Sequence, residues 1–163
     1  MIDWLGVLTV LVVCSFAAVC FFGAPFVPTR RKWAQQALEL AKLGDRDLVV
    51  DLGSGSGTIL RILAERRIRA VGFELNPILW LVSKLRFLKN NFIQVRLRNF
   101  WRQDLPAGTT AVYVFALTRD ARKLEEYFLK QAQKSGFSVI TFGFELPTKK
   151  AAKHTKGAFL YNF

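Results

Sequence analysis

Residues 47–57 read DLVVDLGSGSG, and the apolar run AVGFE that follows them ends in a lone acid, Glu74. A strand that carries Asp51 into a glycine-rich turn, followed by a second strand ending in an acid, is typical of α/β sheets that hold a nucleoside-bearing cofactor. The glycines let the backbone approach the ligand closely, and the second acid accepts hydrogen bonds from ribose hydroxyls. The stretch therefore predicts a cofactor at the carboxyl ends of parallel strands.

The spacing of the glycines narrows the cofactor class. Gly53, Gly55 and Gly57 form GxGxG, whereas dinucleotide-binding turns read GxGxxG. Asp51 would repel a pyrophosphate but would attract an ammonium group. S-adenosylmethionine carries both an ammonium and a sulfonium, so we expect S-adenosylmethionine rather than NAD. The alternative interpretation is a tight strand-to-helix turn without a ligand.

The rest of the chain alternates strands and helices after residue 30. Alternation of this kind favours a Rossmann-like α/β sheet with right-handed crossovers. Asn76 is expected to cap a helix that starts at Pro77, with Ile78, Leu81, Val82 and Leu85 as its buried stripe. Only 19 residues follow Phe144, so we expect an abbreviated C-terminal end with one strand rather than two. The predicted strands are 47–52, 69–74, 92–97, 110–117, 136–144 and 158–163, and the other predicted helices are 31–42, 57–67 and 118–133.

The N-terminal segment is apolar and uncharged. No charged residue occurs between Trp4 and Thr29, and a bilayer core of about 30 Å needs about 20 apolar residues as a helix. We therefore expect a transmembrane anchor over residues 1–23, a connector over 24–30 and one catalytic domain over 31–163, with a buried helix as the alternative to the anchor. The basic run RRK at 30–32 predicts a single-pass membrane protein whose catalytic domain is cytoplasmic.

The part of the chain after residue 29 is strongly basic. It holds all 24 Lys and Arg residues and 11 of the 12 acids, a net charge of +13. Such a surface is attracted to an anionic lipid leaflet or to acidic partners, although a generally solvated surface is an equal alternative. Nucleic acid is an unlikely partner because the charges are spread along the chain. With one His and two Cys, no metal site is expected.

Four sequence runs resemble one enzyme family. APFVPTR, DLGSGSG, FELNP and NFW are similar to the membrane-anchored protein-lysine methyltransferases, which include the mitochondrial enzymes that modify the ATP synthase c subunit and the adenine nucleotide translocase, and which have archaeal relatives. The likeness runs from about residue 24 to 147. Ser56 and Thr58 stand where the family usually has Asp and Arg, and Asn99 stands where it usually has an acid.

The resemblance and the residues together suggest roles for the site. Asp51 is expected to orient the methionine ammonium, and Glu74 to accept from the ribose hydroxyls. The turn residues Gly53, Ser54 and Gly55 are expected to face the methionine end, with backbone N–H groups toward it. The adenine is expected to lie among Leu75, Asn99 and Phe100, with the Asn99 side-chain oxygen accepting from its amino group.

A lysine amine has a reference pKa near 10.4 and attacks only after losing a proton. A dry apolar pocket lowers that pKa because it penalises the charge. In the resembling family this pocket is lined by the connector and by the end of the fourth strand, which places Pro28 and Thr29 on one side and Phe115 and Leu117 on the other. No dedicated general base is evident.

The predicted function is methylation of a lysine side chain in a membrane-associated protein by S-adenosylmethionine. Two alternatives remain open at this stage, a small-molecule or lipid methyltransferase and a non-catalytic module that binds S-adenosylmethionine. The identity of the acceptor, the degree of methylation and the oligomeric state do not follow from the sequence.

Overall fold

The computed structural model describes residues 3–22 and 30–163. Two short 3-10 helices occur at Phe100–Arg102 and Thr118–Asp120. The α-helices are α1 (Trp4–Phe22), α2 (Arg31–Glu39), α3 (Thr58–Glu65), α4 (Pro77–Arg86) and α5 (Ala121–Ala132). The strands are β1 (Leu48–Leu52), β2 (Arg69–Glu74), β3 (Ile93–Leu97), β4 (Ala111–Phe115), β5 (Ser138–Phe142), β6 (Lys153–Thr155) and β7 (Ala158–Asn162).

Seven strands form one sheet in the order β3-β2-β1-β4-β5-β7-β6. Strands β1 to β5 pair in parallel, and β7 pairs antiparallel with both β5 and β6. The order reverses between β1 and β4, which opens a crevice at the carboxyl ends of these strands. We call this side of the sheet the carboxyl edge. The predicted Rossmann-like sheet is confirmed.

Side chains of β1 alternate between two hydrophobic cores on opposite faces of the sheet. Val49 packs with Leu38 of α2 and Leu60 of α3 on one face, and Val50 packs with Phe128 of α5 on the other. Because these positions are almost fully buried, each such side chain stabilises the fold by about 1.5–3 kcal/mol. The two faces hold β1 rigidly, and β1 leads directly into the glycine turn.

The C-terminal end differs from the expectation of a single strand. Two strands, β6 and β7, form an antiparallel hairpin at the edge of the sheet. The three residues of β6, KHT, are polar and too few to show an alternating pattern, so the sequence carries no signal for them. Gly157 in the connecting turn has φ of +80°, and Lys153 on the outer strand is exposed, as is common for edge strands that avoid further pairing.

Helix α4 is capped as predicted but buries a different face. The Asn76 side chain accepts hydrogen bonds from the N–H groups of Ile78 and Leu79. The residues that α4 buries are Leu79 and Ser83, whereas three members of the predicted stripe, Leu81, Val82 and Leu85, are 42–61% exposed. The prediction was wrong because the inward face is the one that packs against Gly57, where Ser83 and the Phe87 ring lie.

The predicted transmembrane anchor, and with it the single-pass membrane localisation, is wrong. Within residues 3–22 and 30–163, we find no helix with the length and apolar character needed to cross a bilayer. Helix α1 has 19 residues, Trp4–Phe22. The predicted connector lies outside the described residues except for Arg30, and the boundaries 1–23, 24–30 and 31–163 stay predictions.

Candidate functional site

Asp51 lies near the carboxyl end of β1, at the centre of the sheet. Its neighbours in register are Gly72 of β2 and Tyr113 of β4, and the residue is 2% exposed. Its Oδ2 atom has no hydrogen-bond partner among the described residues. Burial, with a smaller contribution from the nearby charge of Glu74, raises the pKa of Asp51 to about 8. The carboxyl therefore holds a proton at neutral pH and loses it readily when a cation approaches.

The glycine turn joins β1 to α3. The N–H groups of Gly53 and Ser54 both donate to the carbonyl oxygen of Phe73 at 2.9 Å, so the turn is held to β2. The sequence predicts that the N–H groups of this turn face the methionine end of the cofactor, and the structure differs on this point because they cross to β2 instead. Ser54 is buried, and its Oγ has no partner among the described residues.

Two glycines of the turn differ in what surrounds them. Gly53 has φ of +83°, and nothing lies within 4 Å of the place where a Cβ would stand. Gly57 has φ of +86°, but a Cβ there would lie 2.7 Å from both the Phe87 ring and the Ser83 Oγ. Gly53 therefore faces open space at the carboxyl edge, whereas Gly57 allows α3 and α4 to pack closely.

Glu74 ends β2 and organises the backbone around it. Its Oε2 accepts from the N–H of Gly55 at 2.7 Å, and its Oε1 accepts from the N–H groups of Leu75 at 2.9 Å and Asn76 at 2.7 Å. Burial raises the pKa of Glu74, and these three hydrogen bonds oppose that shift. A carboxylate has about four lone-pair sites, so three N–H donors leave about one site for a ligand hydroxyl.

Asn99 and Phe100 follow β3 at the same edge. The N–H of the preceding residue, Arg98, donates to the Glu74 carbonyl oxygen at 2.9 Å, which brings this segment beside the end of β2. The Asn99 Oδ1 accepts from the N–H of Trp101 at 3.1 Å and caps the short 3-10 helix. Phe100 is half-buried and lies against Trp101 in a tilted arrangement, with ring centroids 4.6 Å apart.

The described residues predicted to line the acceptor pocket lie at the end of β4, beside the end of β5. The half-buried Phe115 ring meets Phe142 edge to face at a centroid distance of 5.6 Å. Gly143 has φ of +87°, and a Cβ there would lie 2.8 Å from the Phe115 ring. Leu117 is 37% exposed, and Pro28 and Thr29 lie outside the described residues. The sequence analysis did not predict Phe142 or Gly143 for this pocket. The glycine that directly follows a strand in the run TFGF, residues 141–144, was a usable signal of a close backbone approach there.

A surface cavity of about 490 Å³ lies elsewhere, between α2 and β6. Two of its charged groups are already engaged, since Lys153 Nζ donates to the Leu40 carbonyl oxygen and Glu39 pairs with Arg66 at 3.8 Å. No group of three or more His, Cys, Asp or Glu residues within 3–22 and 30–163 could hold a metal ion. The unpaired buried polar atoms at the carboxyl edge make that edge the better candidate site.

Comparison with known proteins agrees with this geometry. The sequence profile of the ANTKMT methyltransferase domain matches residues 51–153, which include the glycine turn, Glu74 and Phe115. The chain belongs to this methyltransferase family. The family membership, the S-adenosylmethionine-dependent methyltransferase activity and the cofactor predicted from the sequence are confirmed.

Two relatives extend the match. A protein-lysine N-methyltransferase of Saccharolobus islandicus is 32% identical over 75% of this chain and 78% of its own length. A lysine N-methyltransferase of the ATP synthase c subunit, from Mus musculus, is 30% identical over 93% of this chain, which spans only 60% of that relative's length. The fold is shared with a crystal structure of an RNA methyltransferase from Salinibacter ruber in complex with S-adenosyl-L-homocysteine. The two structures superpose with a TM-score of 0.73 at 24% sequence identity, and the match covers 84% of this chain and 92% of the other.

The residues present at the carboxyl edge fit this cofactor. The unpaired Oδ2 of Asp51 offers an anionic acceptor for an ammonium group. Gly53 leaves space that a side chain would fill. The remaining lone pair of Glu74 suits a ribose hydroxyl, since each of its three bonds comes from a backbone N–H.

Proposed function

We propose that this chain transfers a methyl group from S-adenosylmethionine to the side-chain amine of a lysine in a protein. The observation that carries the proposal is the similarity to the archaeal protein-lysine N-methyltransferase over three quarters of the chain. The carboxyl edge supports it, because buried carboxylates stand at the ends of β1 and β2 while aromatic rings stand at the ends of β4 and β5. Such an edge can hold a charged cofactor on one side and an alkyl amine on the other.

On the cofactor side, we assign a role to each predicted residue. Asp51 binds the ammonium in its ionised form, and Gly53, Ser54 and Gly55 form the floor beside the methionine end. Glu74 accepts from one ribose hydroxyl with its free lone pair, and accepts from the second when the Gly55 N–H gives way. Leu75, Asn99 and Phe100 surround the adenine, with the second lone pair of Asn99 Oδ1 available to its amino group.

The acceptor side supplies desolvation and alignment. When bound, the cofactor supplies an electrophilic methyl group on a positively charged sulfur. The rings of Phe115 and Phe142 pack along the alkyl chain of the lysine and exclude water, which lowers the pKa of its amine. Holding the neutral amine in line with the bond that breaks accounts for most of the acceleration expected from such a site. The proton lost by the lysine passes to solvent, since no base stands among the described residues of this side.

The prediction of a membrane protein as acceptor depended on the N-terminal anchor. Since no described helix can cross a bilayer, that argument no longer applies. The proposal is therefore confined to a lysine in a protein.

Transfer of radiolabel tests the proposal directly. The chain would be incubated with methyl-labelled S-adenosylmethionine and a protein extract, and acid hydrolysis would identify the labelled amino acid. We expect methyl-lysine, and its loss in an Asp51→Asn variant. Label in an organic extract would indicate a lipid or small-molecule acceptor, and retained binding of S-adenosylhomocysteine without any label would indicate a non-catalytic module.

A further inference from the structure

Four exposed cations border the candidate site at the carboxyl edge. Arg98 directly follows β3, and Arg102 ends the 3-10 helix that comes next. Arg119 lies in the 3-10 helix after β4, and Lys123 in the first turn of α5. Because β3 and β4 are parallel strands of one sheet, the segments that follow them emerge on the same side. We call Arg98, Arg102, Arg119 and Lys123 the cationic rim.

The two segments that carry the rim are in contact. The Nζ of Lys123 lies 4.3 Å from the centroid of the Trp101 ring. Trp101 and Phe100 both meet Tyr127 of α5 edge to face, at centroid distances of 6.2 Å. These contacts join the segment after β3 to the segment after β4, so the rim is one surface beside the ends of β2, β3 and β4.

The positive charge of the rim is poorly balanced within the protein. Among the described residues, Arg98, Arg102 and Lys123 take part in no ion pair, and Arg119 lies 3.8 Å from the adjacent Asp120. Asp104, two residues after Arg102, is bonded to Lys134 at 2.7 Å. The exposed Glu126, three residues after Lys123 on α5, offers one further negative charge near the rim.

The helical face formed by α2 and α3 shows the opposite pattern, and this contrast separates the rim from the general basic surface. There Arg31 and Arg61 both pair with Glu65, and Arg66 pairs with Glu39. An unbalanced positive surface attracts anions over about a Debye length, roughly 8–10 Å at ordinary salt.

The rim constrains any substrate that enters this edge. An acceptor lysine arrives as an ammonium ion, which four positive charges repel. A protein substrate overcomes this repulsion when acidic side chains next to its lysine reach the rim. The same positive potential favours the neutral form of the lysine, which is the form that attacks.

We propose that the cationic rim binds an acidic peptide segment flanking the acceptor lysine, and so selects lysines in acidic sequence contexts. This inference rests on the proposed lysine methylation for its choice of partner. Arginine forks bind carboxylates in bidentate geometry, and three of the four rim residues are arginines.

A binding experiment with matched variants tests the proposal. The rim variant carries Arg98→Gln, Arg102→Gln, Arg119→Gln and Lys123→Gln. The control variant removes the same charge from exposed positions away from the carboxyl edge, with Arg46→Gln, Arg67→Gln, Lys84→Gln and Lys89→Gln. Fluorescent peptides with one central lysine, flanked by glutamates or by glutamines, would be titrated with each full-length protein in the presence of S-adenosylhomocysteine.

We expect the acidic peptide to bind the wild type and the control variant about tenfold more tightly than the glutamine peptide, since several exposed ion pairs add up to roughly 1–2 kcal/mol. The rim variant should lose this preference while still binding S-adenosylhomocysteine. Equal binding of the two peptides, or an equal loss in the control variant, would overturn the proposal. Tighter rim-dependent binding of an RNA oligonucleotide of the same net charge would also overturn it.

The binding readout separates this inference from the proposed function. Rim-dependent binding of an acidic peptide that is never methylated would uphold the rim and count against lysine methylation. Methylation of both peptides with equal efficiency, without a difference in binding, would uphold lysine methylation and refute the rim.

Discussion

The two halves of the carboxyl edge consist of different chemical groups. The proposed cofactor half, at the ends of β1 and β2, consists of two buried carboxylates, Asp51 and Glu74, and the backbone of a glycine turn. The proposed acceptor half, at the ends of β4 and β5, consists of partly exposed side chains, Phe115 and Leu117, beside exposed surface cations. The first half has its turn fixed to β2, and the second has no buried titratable group among its assigned residues.

This difference matches what each half has to recognise. The cofactor is one molecule of fixed charge and shape, so rigid backbone and a desolvated carboxylate can be matched to it. The proposed acceptor is a flexible side chain on a macromolecule, and recognition residues of that kind commonly lie on loops that vary while the scaffold stays constant. Substitutions should therefore affect stability and cofactor affinity in the first half, and acceptor use in the second.

The largest effect is expected inside the glycine turn. Gly57→Ala should lower the free energy of unfolding by roughly 3 kcal/mol, because a left-handed residue other than glycine costs about 1–2 kcal/mol and the new Cβ meets the Phe87 ring. Gly53→Ala and the control Gly108→Ala share a positive φ but have open space around them, and each should cost roughly 1 kcal/mol. Urea unfolding measures all three. Equal losses at Gly53 and Gly57 would show that packing against α4 is unimportant.

A second substitution should separate stability from binding. Burial raises the pKa of Asp51 from 3.8 to about 8, so the native state holds a proton that the unfolded state releases. The stability contributed by this carboxyl is present below about pH 4 and is lost as the pH rises towards 8. Asp51→Asn stays neutral at every pH and should gain about 2–3 kcal/mol over the wild type above pH 8, and little below pH 4.

The same variant should bind the cofactor poorly, because it cannot pair with an ammonium. Calorimetry at pH 7 in buffers of different ionisation enthalpy should show proton release from the wild type on binding S-adenosylmethionine and none from Asp51→Asn. A variant that is less stable than the wild type at pH 8, or that binds equally well, would contradict the role given to this carboxyl.

Glu74 is expected to have a smaller effect on affinity and an opposite effect on the fold. Glu74→Ala should weaken S-adenosylhomocysteine binding by about 1–3 kcal/mol through the loss of charge-assisted hydrogen bonds. It also leaves the N–H groups of Gly55 and Asn76 without their acceptor, so the variant should be less stable, whereas Asp51→Asn should be more stable. Tight NADH binding by the wild type, without competition from S-adenosylhomocysteine, would contradict the cofactor assignment.

Much of the cofactor half could be predicted from the sequence because short-range rules determine it. A strand ending in an acid, a GxGxG turn and a second strand ending in an acid leave few geometries open. The direction of the turn's N–H groups could not be predicted in the same way. It depends on Gly53 and Ser54 both donating to Phe73, a pairing between separate segments of the chain that no local pattern encodes.

The other incorrect predictions from the sequence share a physical cause. The stripe of α4 and the strand β6 were misassigned because apolar periodicity indicates a helix face without indicating which neighbour it meets. Ser83 faces inward because its face of α4 packs against Gly57, and β6 forms because β7 offers it a free edge. Phe142 was missed in the acceptor half because its contact with Phe115 joins two strands.

The smallest expected effect lies in the acceptor half and tests the division itself. Phe115→Ala removes a half-buried ring that packs on Phe142 and Gly143. The space proposed for the acceptor lysine then becomes wider and more accessible to water. The amine then keeps its proton more easily. We expect kcat/KM for a protein acceptor to fall about fivefold, or roughly 1 kcal/mol, with S-adenosylhomocysteine affinity unchanged.

The control variant Phe100→Ala, in contrast, should weaken the binding of S-adenosylhomocysteine, since Phe100 lies beside the predicted adenine position. Steady-state kinetics with the acceptor varied, together with calorimetry, measures both. If Phe115→Ala weakens the cofactor as much as Phe100→Ala does, the two halves act as one pocket, and the contrast between them is structural without being functional.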